Sequence, residues 1–151
     1  MSTTSQILET SSEHVRCILF LTVAVLSLIG LADSIYLTVE HLLGETAGCV
    51  VAKGCSEVLG SKYATIGSVP LAALGAVAYF SAFSLAILAA FEYRRVELPL
   101  MLLVQVMFAV TLWFVLVQAF VLHAFCDYCL LSAAVTVLLT GATLVANFLR
   151  H

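Results

Sequence analysis

The sequence predicts an all-α integral membrane protein: a four-transmembrane-helix bundle in which a long extracytoplasmic loop joins the first two spans. Three observations predict it. The first is composition: of 151 residues, 63% are hydrophobic and 10% charged, and mean hydropathy is +1.15. Soluble domains carry about 45–50% apolar and about 25% charged residues, so the solvent of this chain is lipid. The second is the distribution of apolar runs. Four segments are long enough for the roughly 20 residues that cross a hydrocarbon core. The third is where the basic residues fall, in the short stretches between those runs.

The first span runs from about Cys17 to Val39 with Asp33 as its only charge. It is too long for a cleaved leader and lacks a small-residue cleavage site, so it is expected to stay as an anchor. Residues 1–16 are expected to form a cytoplasmic tail, and 17–151 a single membrane domain. The second span starts near Pro70 and ends at Phe91, with alanines at four-residue spacing (Ala78, Ala82, Ala86, Ala90) beside Gly75 and Ala76. Small residues let helices approach closely where lipid offers no hydrophobic drive, so this reads as a packing ridge. The third span lies between Glu97 and His123, and the fourth runs from about Tyr128 to Leu149.

The outer loop covers 40–69, whereas Glu92–Glu97 and His123–Asp127 are short connections. Arg16, Arg94, Arg95 and Arg150 flank one side, Lys53 and Lys62 the other. Basic residues stay cytoplasmic, so both termini and the Arg94–Arg95 turn are expected inside and the long loop outside. The net charge of −3 says little about partners, and no basic tract or aromatic–basic interleaving points to a nucleic acid, so none is expected.

Four of five cysteines fall in the two outward segments. Cys49 and Cys55 form C-x5-C in the long loop, each after a glycine; Cys126 and Cys129 form C-x-x-C where the fourth helix begins. Disulfides persist on an oxidising face. A helix N-terminus, with unpaired N–H groups and a positive dipole end, stabilises a thiolate, the species that attacks disulfides. Asp127, between the two cysteines, opposes this by its charge. Cys129 is expected about 4.5 Å deeper along the helix axis than Cys126, toward the hydrocarbon, with Cys126 nearer water. One pair on a loop and one at the membrane edge make a relay. Static disulfides and a four-cysteine zinc site are the competing readings of the same residues. Cys17, at the other end of the first span, reads as an inert buried thiol.

These residues together resemble the vitamin K epoxide reductase family in its bacterial single-domain form. The likeness rests on Cys49-x5-Cys55-Ser56, Ser61-Lys62-Tyr63-Ala64, Gly67-Ser68-Val69-Pro70-Leu71-x3-Gly75, Phe125-Cys126-Asp127-Tyr128-Cys129 and Tyr36-Leu37-Thr38. It covers nearly the whole chain. A DsbB-type oxidase carries its C-x-x-C in the first outer loop, so the order of the two pairs points to the epoxide reductase relatives. The resemblance implies a four-helix bundle around a quinone, with a short helix after Cys55 in the outer loop. Cys129 is then the quinone-facing cysteine and Cys126 its exchange partner. Cys55 attacks Cys126 to form a transient interloop disulfide, and Cys49 exchanges with a thioredoxin-like (DsbA-type) protein. Ser61, on the short helix, matches a family serine close to the quinone. Members with epoxide activity carry a tyrosine four residues after the second active-site cysteine. Ala133 stands there in this chain, which counts against epoxide reduction. Some relatives carry a fused thioredoxin-like domain; this sequence ends at His151, so its partner is expected to be a separate protein.

The expected function is therefore that of a thiol:quinone oxidoreductase of the cell inner or plasma membrane, supporting disulfide formation in exported proteins with ubiquinone, menaquinone or a similar acceptor. A metal-binding or structural membrane protein is the alternative. Tyr63 and Tyr128 are candidates for the quinone site or for an interfacial aromatic belt. Trp113, Phe114 and Gln118 are candidates for contact with a ring or isoprenoid tail. Asp33 either faces the bundle interior or reaches back to the interface. His123 is a candidate proton carrier or an interface residue.

Overall fold

The computed structural model describes residues 2–44, 48–50 and 54–150, without the side chains of 2–10. Lys53, one of the two lysines expected outside, lies beyond these. Helix α1 spans Ser2–Leu43, α2 Cys55–Leu59, α3 Leu71–Ala90, α4 Glu97–Val117 and α5 Asp127–Phe148; strands β1 (Thr65–Ile66) and β2 (Val69–Pro70) precede α3. Four helical segments are long and apolar enough to span a membrane: Ser11–Leu43, Leu71–Ala90, Arg94–Leu122 and Asp127–Phe148. In hydrocarbon every backbone polar group must be paired within its own segment, which makes helix the outcome of such runs.

Helix α1 begins at Ser2, well before Cys17, so the expected tail is helical and continuous with the first span. Nothing before Gly30 interrupts it, since neither Gly nor Pro occurs there. Its 42 residues extend about 63 Å at 1.5 Å per residue, twice the hydrocarbon thickness. The second span starts where Pro70, with its φ set at −64°, caps α3. The small antiparallel ribbon ahead of it was not expected. Thr65 pairs with Pro70 and Ile66 with Val69, and Gly67 supplies the turn's positive φ of +65°.

Helices α1 and α3 lie closest, through small residues. A Cβ on Gly30 would overlap the Tyr79 ring, and one on Gly75 would sit 3.1 Å from Ser34 Oγ. Ala82 and Ala86 are completely buried, as a packing ridge requires, and Phe20, Val23, Leu100, Val104, Val135 and Leu139 complete the core. Outward positions such as Val77, Phe80, Leu102 and Val106 stay exposed, as helices facing lipid do.

At one end of the bundle Glu97 pairs with Arg16 at 2.6 Å and with Arg150 at 3.5 Å, tying α1, α4 and the residues after α5 together. Cys17, part-exposed rather than buried, stays at this end near Ala90; the two cysteine pairs lie at the other.

Candidate functional site

Cys49 and Cys55 are joined by a disulfide, while Cys126 and Cys129 are free thiols. Loop and C-x-x-C meet because Gly54 permits it. A Cβ at Gly54 would lie 2.8 Å from Ala124 Cβ and 2.9 Å from Phe125 N and O, so any other residue would lift the loop away. Two hydrogen bonds hold the seam. Val50 N–H donates to Asp127 Oδ2 at 3.0 Å, and the Tyr128 hydroxyl donates to Gly48 O at 3.4 Å. Asp127 thus turns its carboxylate toward the loop.

Cys126 is fully buried, not nearer water as expected. It packs in one cluster with Cys55, Val58, Phe114 and Ala124, because α2 and the seam at Gly54 cover it. Below it, a π-helical segment at Gln118–Leu122 continues α4 and ends in His123 at φ 49°, a left-handed position that histidine tolerates better than most. This turn brings buried Gln118 beneath the C-x-x-C, where its Oε1 accepts the Cys126 N–H at 3.1 Å. Cys126, just ahead of α5, has its thiol pKa lowered to about 7, chiefly by a hydrogen bond from the Cys129 thiol. Burial opposes this shift, the backbone N–H groups of Cys129 and Tyr128 reinforce it, and the Asp33 charge opposes it. The Cys129 thiol, helped by the helix-end N–H groups, therefore prevails over burial and over the Asp33 carboxylate on α1.

Cys129 is half-buried and lines a cavity of about 300 Å³ between α1, α3, α4 and α5, at the lower end of the range for small-molecule sites. Most of its wall is apolar: Leu37, Leu71, Leu103, Val106, Met107, Val110 and Phe114. The polar exceptions lie on all four of these helices, including Asp33 and Ser34 of α1, Tyr79 of α3, Thr111 of α4, and Ser132 and Thr136 of α5. The Tyr79 hydroxyl sits 2.7 Å from Ser132 Oγ and 3.0 Å from Thr136 Oγ1. A planar ring with carbonyl oxygens fits such walls, with the Tyr79 or Ser132 hydroxyl as donor, since Thr136 already donates to Ser132 O at 2.8 Å, and the Cys129 sulfur beside it.

Ser61, Tyr63 and Tyr128 do not line this cavity. Ser61 lies beyond α2, which ends at Leu59, and its hydroxyl donates to Val58 O at 2.7 Å. Tyr63 meets Trp113 edge-on with centroids 6.3 Å apart, and Tyr128 packs on Tyr36 at 5.3 Å. Tyr79, Ser132 and Thr136 were not singled out from the sequence. For the latter two a signal existed: positions three and seven after Cys129 share its helix face. Tyr79 carried none, being one aromatic within an apolar span. Among the described residues, no three His, Cys, Asp or Glu side chains converge as metal ligands.

The model of the vitamin K epoxide reductase family matches residues 21–144. The chain belongs to that family. No curated protein matches the chain. As a vitamin K epoxide reductase family member it is a membrane-spanning oxidoreductase, and the matched region takes in all four cysteines described above and every residue lining the cavity.

Proposed function

We propose that this protein oxidises a separate thioredoxin-like partner and passes the electrons to a quinone in the bilayer, supporting disulfide formation in exported proteins. The observation that carries the proposal is that Cys129 belongs to two environments at once: it hydrogen-bonds the Cys126 thiol under the loop, and it lines the cavity. In this reading the arginine end and both termini face the cytoplasm, and the cysteines face outward at the inner or plasma membrane.

The partner's dithiol reduces the Cys49–Cys55 disulfide through Cys49 and leaves as a disulfide. Cys55 thiolate then attacks the sulfur of Cys126 in a Cys126–Cys129 disulfide, expelling Cys129. Cys49 attacks Cys55 and releases Cys126. The loop disulfide is restored, and two electrons now reside on the Cys126–Cys129 dithiol. A low thiol pKa makes Cys126 a good leaving group in that last exchange. A quinone, when bound, supplies a two-electron, two-proton acceptor. Cys129 would face it, with the Tyr79 or Ser132 hydroxyl, supported by Thr136, holding a carbonyl oxygen. The protein's share is position and thiolate activation.

Single-turnover reduction of a short-chain quinone by purified, thiol-reduced protein tests this. Quinol is expected from the parent and none from Cys129→Ala. A parent that reduces no quinone, with cysteine pairs inert to each other, would overturn the reading.

A further inference from the structure

Asp33 is an expensive residue at this depth in a membrane helix, and its placement rules out the inexpensive explanation. A carboxylate that reaches back to the interface is solvated; Asp33 is 8% exposed. Its Oδ2 is buried with no hydrogen-bond partner among the described residues. No ion pair compensates it: the bundle's described ion pairs involve Glu97, at the far end. Asp33 lines the same cavity as Cys129 and stands close enough to act electrostatically on both Cys126 and Cys129.

The titratable groups around that cavity are few. His41 lies on the same face of α1, two four-residue steps past Asp33, about 12 Å along the axis, and is exposed at the cavity's loop end. Tyr79 faces in from α3, and Cys129 from α5, with Cys126 behind it. Helix α4 contributes apolar side chains and Thr111, and the hairpin contributes Ile66 and Pro70. The reaction proposed above moves two protons as well as two electrons. Cys126 and Cys129 lose two S–H protons when their disulfide forms, and two O–H bonds must appear on the acceptor.

We propose that Asp33 is the proton-exchange group of this cavity: its carboxyl gives a proton to one acceptor oxygen and takes back one of the two released by the thiols. The inference rests on the thiol:quinone reading and deepens it. No atom is left over: one S–S bond forms, two S–H bonds break, two O–H bonds form, and Asp33 ends as it began.

The test uses the full chain with Cys126 and Cys129 reduced, a short-chain ubiquinone as probe, and rapid mixing across a pH series. Asp33→Asn is expected to slow dithiol oxidation roughly 100-fold, within the span attributed to positioned acid–base groups, and to remove a limb of the pH profile. Asp33→Glu is expected to restore both. A second readout needs no quinone: in infrared difference spectra between dithiol and disulfide forms, the parent is expected to show a carboxyl band that Asp33→Asn lacks. Should Asp33→Asn fold poorly, Asp33→Glu serves in its place, with the band expected to shift rather than vanish. An Asp33→Asn protein with parental rate and pH profile overturns the assignment, as does a limb that vanishes with His41→Ala but persists in Asp33→Asn. A parent whose dithiol no quinone oxidises sinks the underlying reading instead, and the infrared band still judges Asp33.

Discussion

The two ends of the bundle are built on opposite principles. At the arginine end Glu97, 9% exposed, holds Arg16 and Arg150 and satisfies both carboxylate oxygens, while Ala82, Ala86 and Ala89 let α3 press into the core. At the cysteine end the helices part around a cavity, a π-helical turn displaces the chain, and buried polar atoms of Asp33 and Gln118 lack partners among the described residues. One end fastens helices together; the other gives up packing to hold a reactive pair and room for a small molecule. Buried polar groups without partners cost stability; Arg16 Nε at the fastened end is another, so it is the cavity, not the unpartnered atoms, that marks where packing has been given up.

Three perturbations sharpen that contrast. The largest concerns the fastened end. Glu97→Ala strands the part-buried Arg16 charge, and breaking such a pair costs up to about 3–5 kcal/mol. Denaturant unfolding in detergent is expected to show a loss of that order, while quinone reduction below the transition stays near parental. Loss of activity without loss of stability would mean that the ends are not independent. At the reactive end, Gly54→Val is expected to lift the loop off Ala124 and Phe125 and slow loop-to-Cys126 exchange about 100-fold, the scale of a displacement of about 1 Å. Oxidation of the Cys126–Cys129 dithiol by quinone is expected to persist. If transfer from the loop proceeds at the parental rate, the seam at Gly54 does not set the exchange geometry.

The smallest effect is electrostatic. With Cys49 and Cys55 replaced by Ser and the protein reduced, ultraviolet thiolate absorbance is expected to rise through about pH 7 as Cys126 deprotonates: thiol below, thiolate above. Cys129→Ala removes the leading stabilising hydrogen bond, so the midpoint is expected to climb toward the ordinary thiol value of about 8.5. An unchanged midpoint would assign the lowering to the helix end alone.

Much of this was legible in the linear chain, for physical reasons. Spans are written in runs of apolar residues, because each must satisfy lipid along its whole length; hence four helices could be counted without coordinates. The small-residue ridge of α3 follows a period of four, a local property of one helix. The cysteine spacings and their order are likewise local, and the resemblance built on them led to the family that the residue 21–144 match establishes.

What could not be read is what depends on several segments at once. That Cys126 is sealed beneath the loop follows from Gly54 meeting Ala124, residues 70 positions apart in the chain. That Asp33 faces inward, and that Tyr79 joins Ser132 and Thr136 at the cavity, depends on how α1, α3 and α5 are rotated about their axes. Apolar spans carry almost no amphipathic signal to reveal that rotation, since lipid and core are both apolar. Hydropathy and spacing thus determined that the chain carries four helices long and apolar enough to cross a membrane, with two cysteine pairs in a given order. Which side chains share a cavity was decided by helix packing, because contact between segments has no period along the chain.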